Sequence, residues 1–297
     1  MTGSAWIDEV GELALPITIS NTHAVGACHT GVVEWINTTH PTLAKQWLLP
    51  VCAETWDGYL NDINGGHVTP AVVRQALDAA HGGAIAEGSV GGGTGMNCYS
   101  FKGGSGTSSR LVALGDATFT VGVFVQANFG SRDELTVTGT PVGELMQVEN
   151  PMAHTNWLER DLSAPAGAGS VIVVVATDAP LNPAQCQGLA RRVPLGLART
   201  GTTGSLFSGD IFLAFSTAND GPSRSSFPRT IPSSAELYST WQLPWNRIDA
   251  FYAATVYAVE EAVLNALVSN ETMVGRDYHM SPALPHDQLV SLLHGRG

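Results

Sequence analysis

The stretch SVIVVVATDAP, residues 170–180, constrains the fold of this chain more than any other. Its centre is continuously apolar and too short for an ordinary helix, so it is expected to be a strand buried on both faces. Such a strand needs a covering layer on each side of its sheet, and the sequence downstream offers one. Residues 183–199 read as helix interrupted at Pro194, and residues 209–217 as a second buried strand. Residues 244–270 read as a long helix whose buried face is traced by Ile248, Phe251, Thr255, Ala258, Ala262 and Leu267. Alternating helices and fully apolar strands predict a layered α/β sandwich.

Upstream the pattern is more broken. Residues 15–26 read as a strand leading into a turn, and residues 31–39 as a short helix. Thr69-Pro70 opens a clearer helix, with Thr69 suited to the N-cap and Pro70 to the first helical position. Val72, Val73, Ala76, Leu77 and Ala80 follow at helical spacing, and Gly82-Gly83 closes it. Residues 88–106, GSVGGGTGMNCYSFKGGSG, are the composition expected where backbones pass close together or carry positive φ. Residues 118–130 and 134–143 read as a hairpin, and a conspicuous polar loop follows over residues 147–168.

Charge narrows the choice of partner. Charged residues make up 13% of the 297, about half the usual ~25%, so much surface must be hidden in a core or against other subunits. The net charge is −12 and the lysines are Lys45 and Lys102 alone. Without a basic patch, nucleic acid is not an expected partner. No apolar run reaches the ~18 residues of a membrane span, so no membrane partner is expected. The opening MTGSAWIDEV lacks the regions of a signal peptide, which favours the cytoplasm, with the periplasm as the alternative for a longer N-terminus. Cys28, Cys52, Cys98 and Cys186 never form CxxC and read as buried small apolar residues.

Common catalytic motifs are missing: there is no P-loop, HExxH or GxSxG. Met96 breaks the GxGxxG pattern, and the histidines lack metal-ligand spacing, with His67 and His81 reading as loop or helix-end residues. A Ser-Lys dyad would have to draw on Lys102, which is read instead as a surface or loop charge.

The junction Gly169-Ser170 is different. An Ala/Gly/Pro segment runs straight into the apolar strand with a serine at the seam. On one reading Ser170 merely starts the strand. On the other, its hydroxyl attacks the Gly169 carbonyl, which no Cβ shields, and hydrolysis of the ester frees Ser170 as a new N-terminus. An α-amine titrates at about 7.7–8.0, so near neutral pH it can act as base for its own hydroxyl. Spacing alone leaves both readings open. Ser208 and Asp210 share a face if extended; they can orient the nucleophile or form a strand-entry turn. Asn128 closes an apolar run, where its amide can line an oxyanion hole or simply end the strand.

Seven stretches together carry a resemblance: PITISNTHAVG, ETWDGYLNDINGGHVTP, EGSVGGGTGMNCYSFKGGSGTSSR, TVGVFVQANFG, GSVIVVVATDAPLNPAQ, LARRVPLGLARTGT and SGDIFLAFSTAN. In these the chain is similar to the DmpA-type self-processing aminopeptidases, which comprise L-aminopeptidase/D-amidase-esterases and β-peptidyl aminopeptidases. The resemblance implies a four-layer αββα sandwich, layered like the Ntn hydrolases but connected differently. It implies self-cleavage into an α-chain of residues 1–169 and a β-chain of residues 170–297. By the same resemblance Ser170 is the N-terminal nucleophile, Ser208 and Asp210 its partners, and Asn128 the oxyanion-stabilising group. Glu54 would grip the substrate's ammonium, with Trp56 or Tyr59 walling the pocket. The implied substrate is a small peptide or aminoacyl amide, cleaved through an acyl-enzyme with no metal or organic cofactor. The implied assembly is a homo-oligomer of αβ heterodimers. Amidases acting on pantetheine-like amides or nylon oligomers are related. Ornithine acetyltransferase-like acyl transferases share the layering but use threonine at the cut, where this chain has Ser170. A chain that stayed uncut would be a non-catalytic protein. Family members usually carry early strands ahead of the first matched stretch: either these are dispensable here, or the start is misassigned or truncated, and their loss would expose a sheet edge.

Overall fold

The first layers are set by one asparagine and two helices. Helix α1 (Thr2–Val10) precedes strand β1 (Ile17–Asn21). The Asn21 side chain accepts the Ala24 N–H at 3.0 Å, turning the chain through a short 3-10 segment into helix α2 (Val25–Thr39). That helix is the crossover a parallel pair requires, and strand β2 (Val51–Thr55) returns beside β1 in parallel register. The helix starts earlier than the expected residue 31 because Gly26 and Gly31 interrupt its apolar pattern. Gly31 is needed for packing: a Cβ there would stand 2.6 Å from Cβ of Val73 on the next helix. That helix, α3 (Pro70–Asp78), opens as the sequence predicts, with the Thr69 side chain accepting the Val72 N–H. It ends before Gly82-Gly83, and its apolar stripe is narrower than the spacing suggested. Val73 is buried and Leu77 partly so, whereas Val72, Ala76 and Ala80 face outward. The structure is a computed structural model that describes residues 2–154, 169–220 and 237–295.

A tight hairpin of strands β3 (Asn97–Cys98) and β4 (Phe101–Lys102) leads into the main sheet. Strand β5 (Gly104–Leu114) pairs antiparallel with strand β6 (Ala117–Asn128) across a two-residue turn, Gly115-Asp116. Gly115 takes φ +61, which the first position of such a turn needs. The hairpin partner of β6 is therefore residues 104–114, not residues 134–143 as the sequence suggested. The latter hold Thr138 and Gly139 at positive φ, make a single bridge from Val137 to Thr140, and pass into a short helix, α4 (Val142–Leu145). A further short helix, α5 (Pro151–His154), lies within the expected polar loop, whose residues 155–168 lie outside the described residues.

The apolar run becomes strand β7 (Ser170–Thr177), flanked by β6 on one side. Helices α6 (Pro183–Ala190) and α7 (Val193–Ala198) then carry the chain to strand β8 (Ile211–Ser216), parallel to β7. The sheet order is β5-β6-β7-β8. Strand β8 was expected to be buried; it is the sheet's edge, and Ile211 is 40% exposed. Helix α8 (Asp249–Val268) lies across β5 and β6. All six residues expected on its inner face are buried, and Ala254, Ala258, Ala262 and Ala266 let it approach closely. At the crossing, a Cβ on Gly106 would sit 2.0 Å from the Ala262 carbonyl oxygen. Burying a side chain such as Phe251 contributes about 1.5–3 kcal/mol. Strands β9 (Met273–Val274) and β10 (Met280–Ser281) and helix α9 (His286–His294) complete the described chain.

The other face of the main sheet meets the β1/β2 pair. Buried Gln126 on β6 stitches the two sheets, donating from Nε2 to the Ser20 carbonyl at 3.0 Å and to Thr55 Oγ1 at 2.7 Å. Helix α2 covers the outside of that pair, and helix α3 packs against α2. The order is thus helix, sheet, sheet, helix. The four cysteines are buried within these layers.

Candidate active site

Strands β6 and β7 end together, and their register places Asn128 opposite Ser170. On the far side of β7, Gly169 bridges Ser208 in parallel, extending the β7/β8 ladder past its last regular pair. The Gly169 N–H donates to the Phe207 carbonyl, and the Gly209 N–H donates to the Gly169 carbonyl, each at 3.3 Å. Both polar ends of Gly169 are therefore held. Glycine is required here by contact: a Cβ at residue 169 would lie 1.9 Å from the Asn128 carbonyl oxygen. A Cβ at Gly209 would stand 3.9 Å from Ser170 Oγ, so the serine hydroxyl faces that backbone.

The Asn128 amide is fixed at both ends. It is buried; Oδ1 accepts the Asn97 N–H at 2.8 Å and Nδ2 donates to the Trp56 carbonyl at 2.9 Å. One donor and one acceptor neighbour determine which end is nitrogen, and an amide nitrogen carries two N–H bonds. The second is left for another acceptor at the ends of β6 and β7.

Ser208 Oγ donates to Asp210 Oδ1, so the two side chains do share a face. Ser208 is half-buried and Asp210 exposed. Half-buried Glu54 lies on β2, where the Thr22 hydroxyl donates to Oε2; among the described residues no cation pairs with it. The two aromatic candidates part company. Trp56 is tied to Asn128 through its carbonyl. Tyr59 is buried, donates to the Met280 carbonyl at 3.1 Å and stacks on His279 at 4.8 Å. Tyr59 anchors the C-terminal segment, and Trp56 is the aromatic residue that the fold joins to Asn128.

Lys102 corrects an expectation. It is fully buried, not a surface charge, and Nζ donates to the carbonyls of Gly93 at 3.2 Å, Met96 at 2.9 Å and Gly103 at 2.6 Å. Those carbonyls belong to the glycine-rich stretch, which has few side chains to satisfy them, so an internal cation does so. Burial pulls the Lys102 pKa down to about 7. Its described hydrogen bonds go to carbonyls and to no serine.

Several groups at the site escaped the sequence reading: Thr22, the N–H groups of Asn97 and Gly209, and the Trp56 carbonyl. Three of these are backbone groups, which have no sequence signature. Asp57, next to Trp56, is buried, which raises its carboxyl pKa; Asn61 Nδ2 donates to it at 2.9 Å.

A family model described as Peptidase family S58 matches residues 1–281. The chain belongs to peptidase family S58. A β-peptidyl aminopeptidase BapA from Sphingosinicella microcystinivorans is 42% identical over 297 residues, covering 99% of this chain and 72% of the relative. Among solved structures, the L-aminopeptidase D-Ala-esterase/amidase of Ochrobactrum anthropi superposes with a TM-score of 0.88 at 42% identity, covering 100% of this chain and 78% of that one. A Burkholderia sp. β-aminopeptidase gives 0.86 at 41% identity, covering 99% and 77%. The Ochrobactrum protein is described as a prototype of the serine aminopeptidases and a variant of the Ntn-hydrolase fold. This S58 chain is a serine aminopeptidase of that fold, and the layered α/β expectation holds.

Proposed function

We propose that this S58 chain cuts itself between Gly169 and Ser170 and then hydrolyses small peptides and aminoacyl amides with the freed Ser170. The observation that carries the reading is the convergence of Asn128, Ser208-Asp210 and the Gly209 N–H on the Gly169-Ser170 peptide.

In self-cleavage, Ser170 Oγ attacks the Gly169 carbonyl carbon while the Gly209 N–H faces the developing oxyanion. The C–N bond breaks, the proton from Oγ passes to the departing Ser170 nitrogen, and Gly169 becomes an ester on Oγ. Water hydrolyses that ester, leaving a carboxylate on Gly169 and a free amine on Ser170. In turnover the free amine takes the proton from its own Oγ as Oγ attacks the substrate carbonyl. Asn128 Nδ2–H and the Gly209 N–H stabilise the oxyanion. The proton then goes to the leaving amine, and water releases the acyl group. Ser208 and Asp210, already hydrogen-bonded, orient the ammonium and the hydroxyl. Glu54, held by Thr22, takes the substrate's own ammonium, and Trp56 walls that pocket. The relatives' names add the substrate class: β-aminoacyl and L- or D-aminoacyl amides and esters. The assembly we expect is a homo-oligomer of αβ heterodimers; exposed Leu206, Phe207 and Ile211 beside the site offer apolar surface for it.

Ser170→Ala tests the assignment. The variant should run as one uncut band on a denaturing gel and hydrolyse no β-alanyl, D-alanyl or L-aminoacyl amide. N-terminal sequencing of the wild-type small fragment should begin SVIVV. Processing of the variant at the wild-type rate would remove Ser170 from the mechanism.

A further inference from the structure

Buried Lys102 plays no part in the mechanism above, yet it lies one peptide away from it. The Met96 carbonyl that accepts Lys102 Nζ at 2.9 Å and the Asn97 N–H that donates to Asn128 Oδ1 at 2.8 Å belong to the same peptide unit. Asn97 and Lys102 are also cross-strand partners in the β3/β4 hairpin. The hydrogen bonds form a chain from the Lys102 ammonium through the Met96–Asn97 peptide to the Asn128 carboxamide. Each donor points toward the next acceptor, so a positive charge at one end polarises every bond in the series. The polarised Asn97 N–H draws electron density from Asn128 Oδ1, and the Nδ2–H groups become stronger donors.

Three details favour this over simple filling of the loop. Three carbonyls at 2.6–3.2 Å call for three donors, which an ammonium supplies and a neutral amine does not. No carboxylate in the described ion pairs neutralises the charge. The far end of the hairpin is fixed as well: Arg132 Nε donates to the Tyr99 carbonyl at 3.0 Å, and its NH2 group donates to the Ser100 carbonyl. Tyr99 and Ser100 hold φ of 52° and 54° in that turn. The Met96–Asn97 peptide is thus pinned from both directions.

We propose that Lys102 is a positioning residue for turnover, orienting and polarising the Asn128 amide through the Met96–Asn97 peptide. The inference rests on Asn128 as oxyanion donor, and a double-mutant cycle separates the two ideas. Wild type, Lys102→Met, Asn128→Ala and the double variant are incubated until self-cleavage is complete. They are then assayed below pH 7, where Lys102 carries its charge, on a β-alanyl amide per mole of free Ser170 N-terminus. Lys102→Met should lower kcat about tenfold, less than the ~10²–10³ expected for losing the donor itself, with KM nearly unchanged. In the Asn128→Ala background the same change should alter kcat less than twofold. A kcat within twofold of wild type, a change confined to KM, or a full tenfold loss persisting without Asn128 would overturn the proposal. Unchanged kcat in Asn128→Ala would overturn the oxyanion assignment and this inference with it. Should Lys102→Met fail to fold, Lys102→Gln takes its place in the cycle. Its neutral amide keeps two N–H donors for the carbonyls that Lys102 Nζ now serves and removes only the charge. The same outcomes then decide.

Discussion

Replacing Gly169 by alanine isolates the contact on which the proposed cleavage geometry depends. An alanine Cβ would begin 1.9 Å from the Asn128 carbonyl oxygen, whereas real Cβ contacts stay beyond 3.0 Å. The two groups must therefore separate by at least 3.0 − 1.9 = 1.1 Å. The obstacle is backbone at the end of the β6/β7 ladder and cannot swing aside as a flexible side chain would. The separation falls between the attacking serine and the strand end that carries Asn128. A misplacement of about 1 Å costs roughly 10²-fold in rate, so self-cleavage should slow by about that factor. Gly→Ala usually stabilises by about 0.4–1 kcal/mol through the unfolded chain, but overpacking here should reverse the sign by about 1–3 kcal/mol. Gly122→Ala, within β6 and away from the junction, is the control: its Cβ would meet only the Ala176 carbonyl oxygen at 3.9 Å, an ordinary contact. The assay follows intact and cut chain on denaturing gels after synthesis, with thermal melting alongside. If Gly169→Ala processes within threefold of the parent, or Gly122→Ala slows equally, the steric argument is wrong.

Asn128→Ala should lower kcat about 10²–10³-fold. It should also destabilise, because Trp56 O and Asn97 N–H lose their partner, at about 1–3 kcal/mol for each group left buried; steady-state kinetics with urea titration check both. Glu54→Gln should raise KM at least about tenfold for substrates bearing a free amine, the scale of losing one partner of a charge pair. N-acylated analogues should be hydrolysed equally by both forms, and a uniform loss on both would place Glu54 elsewhere. The Lys102 pKa is about 7 in the fold against 10.5 for a free side chain. The unfolded chain then binds more protons between these values, so stability should rise with pH from 7 to 10.5 and fall as pH drops through about 7. Urea midpoints at intervals across that window should show this slope in the wild type and lose it in Lys102→Met.

What could be read in the sequence followed from side-chain pattern. The valine run of β7, the inner face of α8 and the Thr69 cap each rest on local periodicity or a local hydrogen bond, and each appears as expected. Strand β5 was hidden because its glycines lower strand propensity. Gly106 is there to admit helix α8, a contact made by residues more than 150 positions away. Residues 134–143 had the right alternation for a strand, but positive φ at Thr138 and Gly139 turned them into a tight bend. At the site, the resemblance named Ser170, Ser208, Asp210 and Asn128, and the fold brings these to neighbouring strand ends. Their supports stayed hidden because they are carbonyls and N–H groups, and because a buried lysine looks the same in sequence as an exposed one.

The placement of β7 has a consequence for any cut at its first residue. The strand is hydrogen-bonded to β6 on one flank and β8 on the other. Severing the backbone ahead of Ser170 would make two polypeptides, yet the seam between them would run through the middle of a continuous sheet. The new terminus would have nowhere to drift. It would stay registered against Asn128 by the ladder behind it, and the halves could separate only by unzipping the protein's own core.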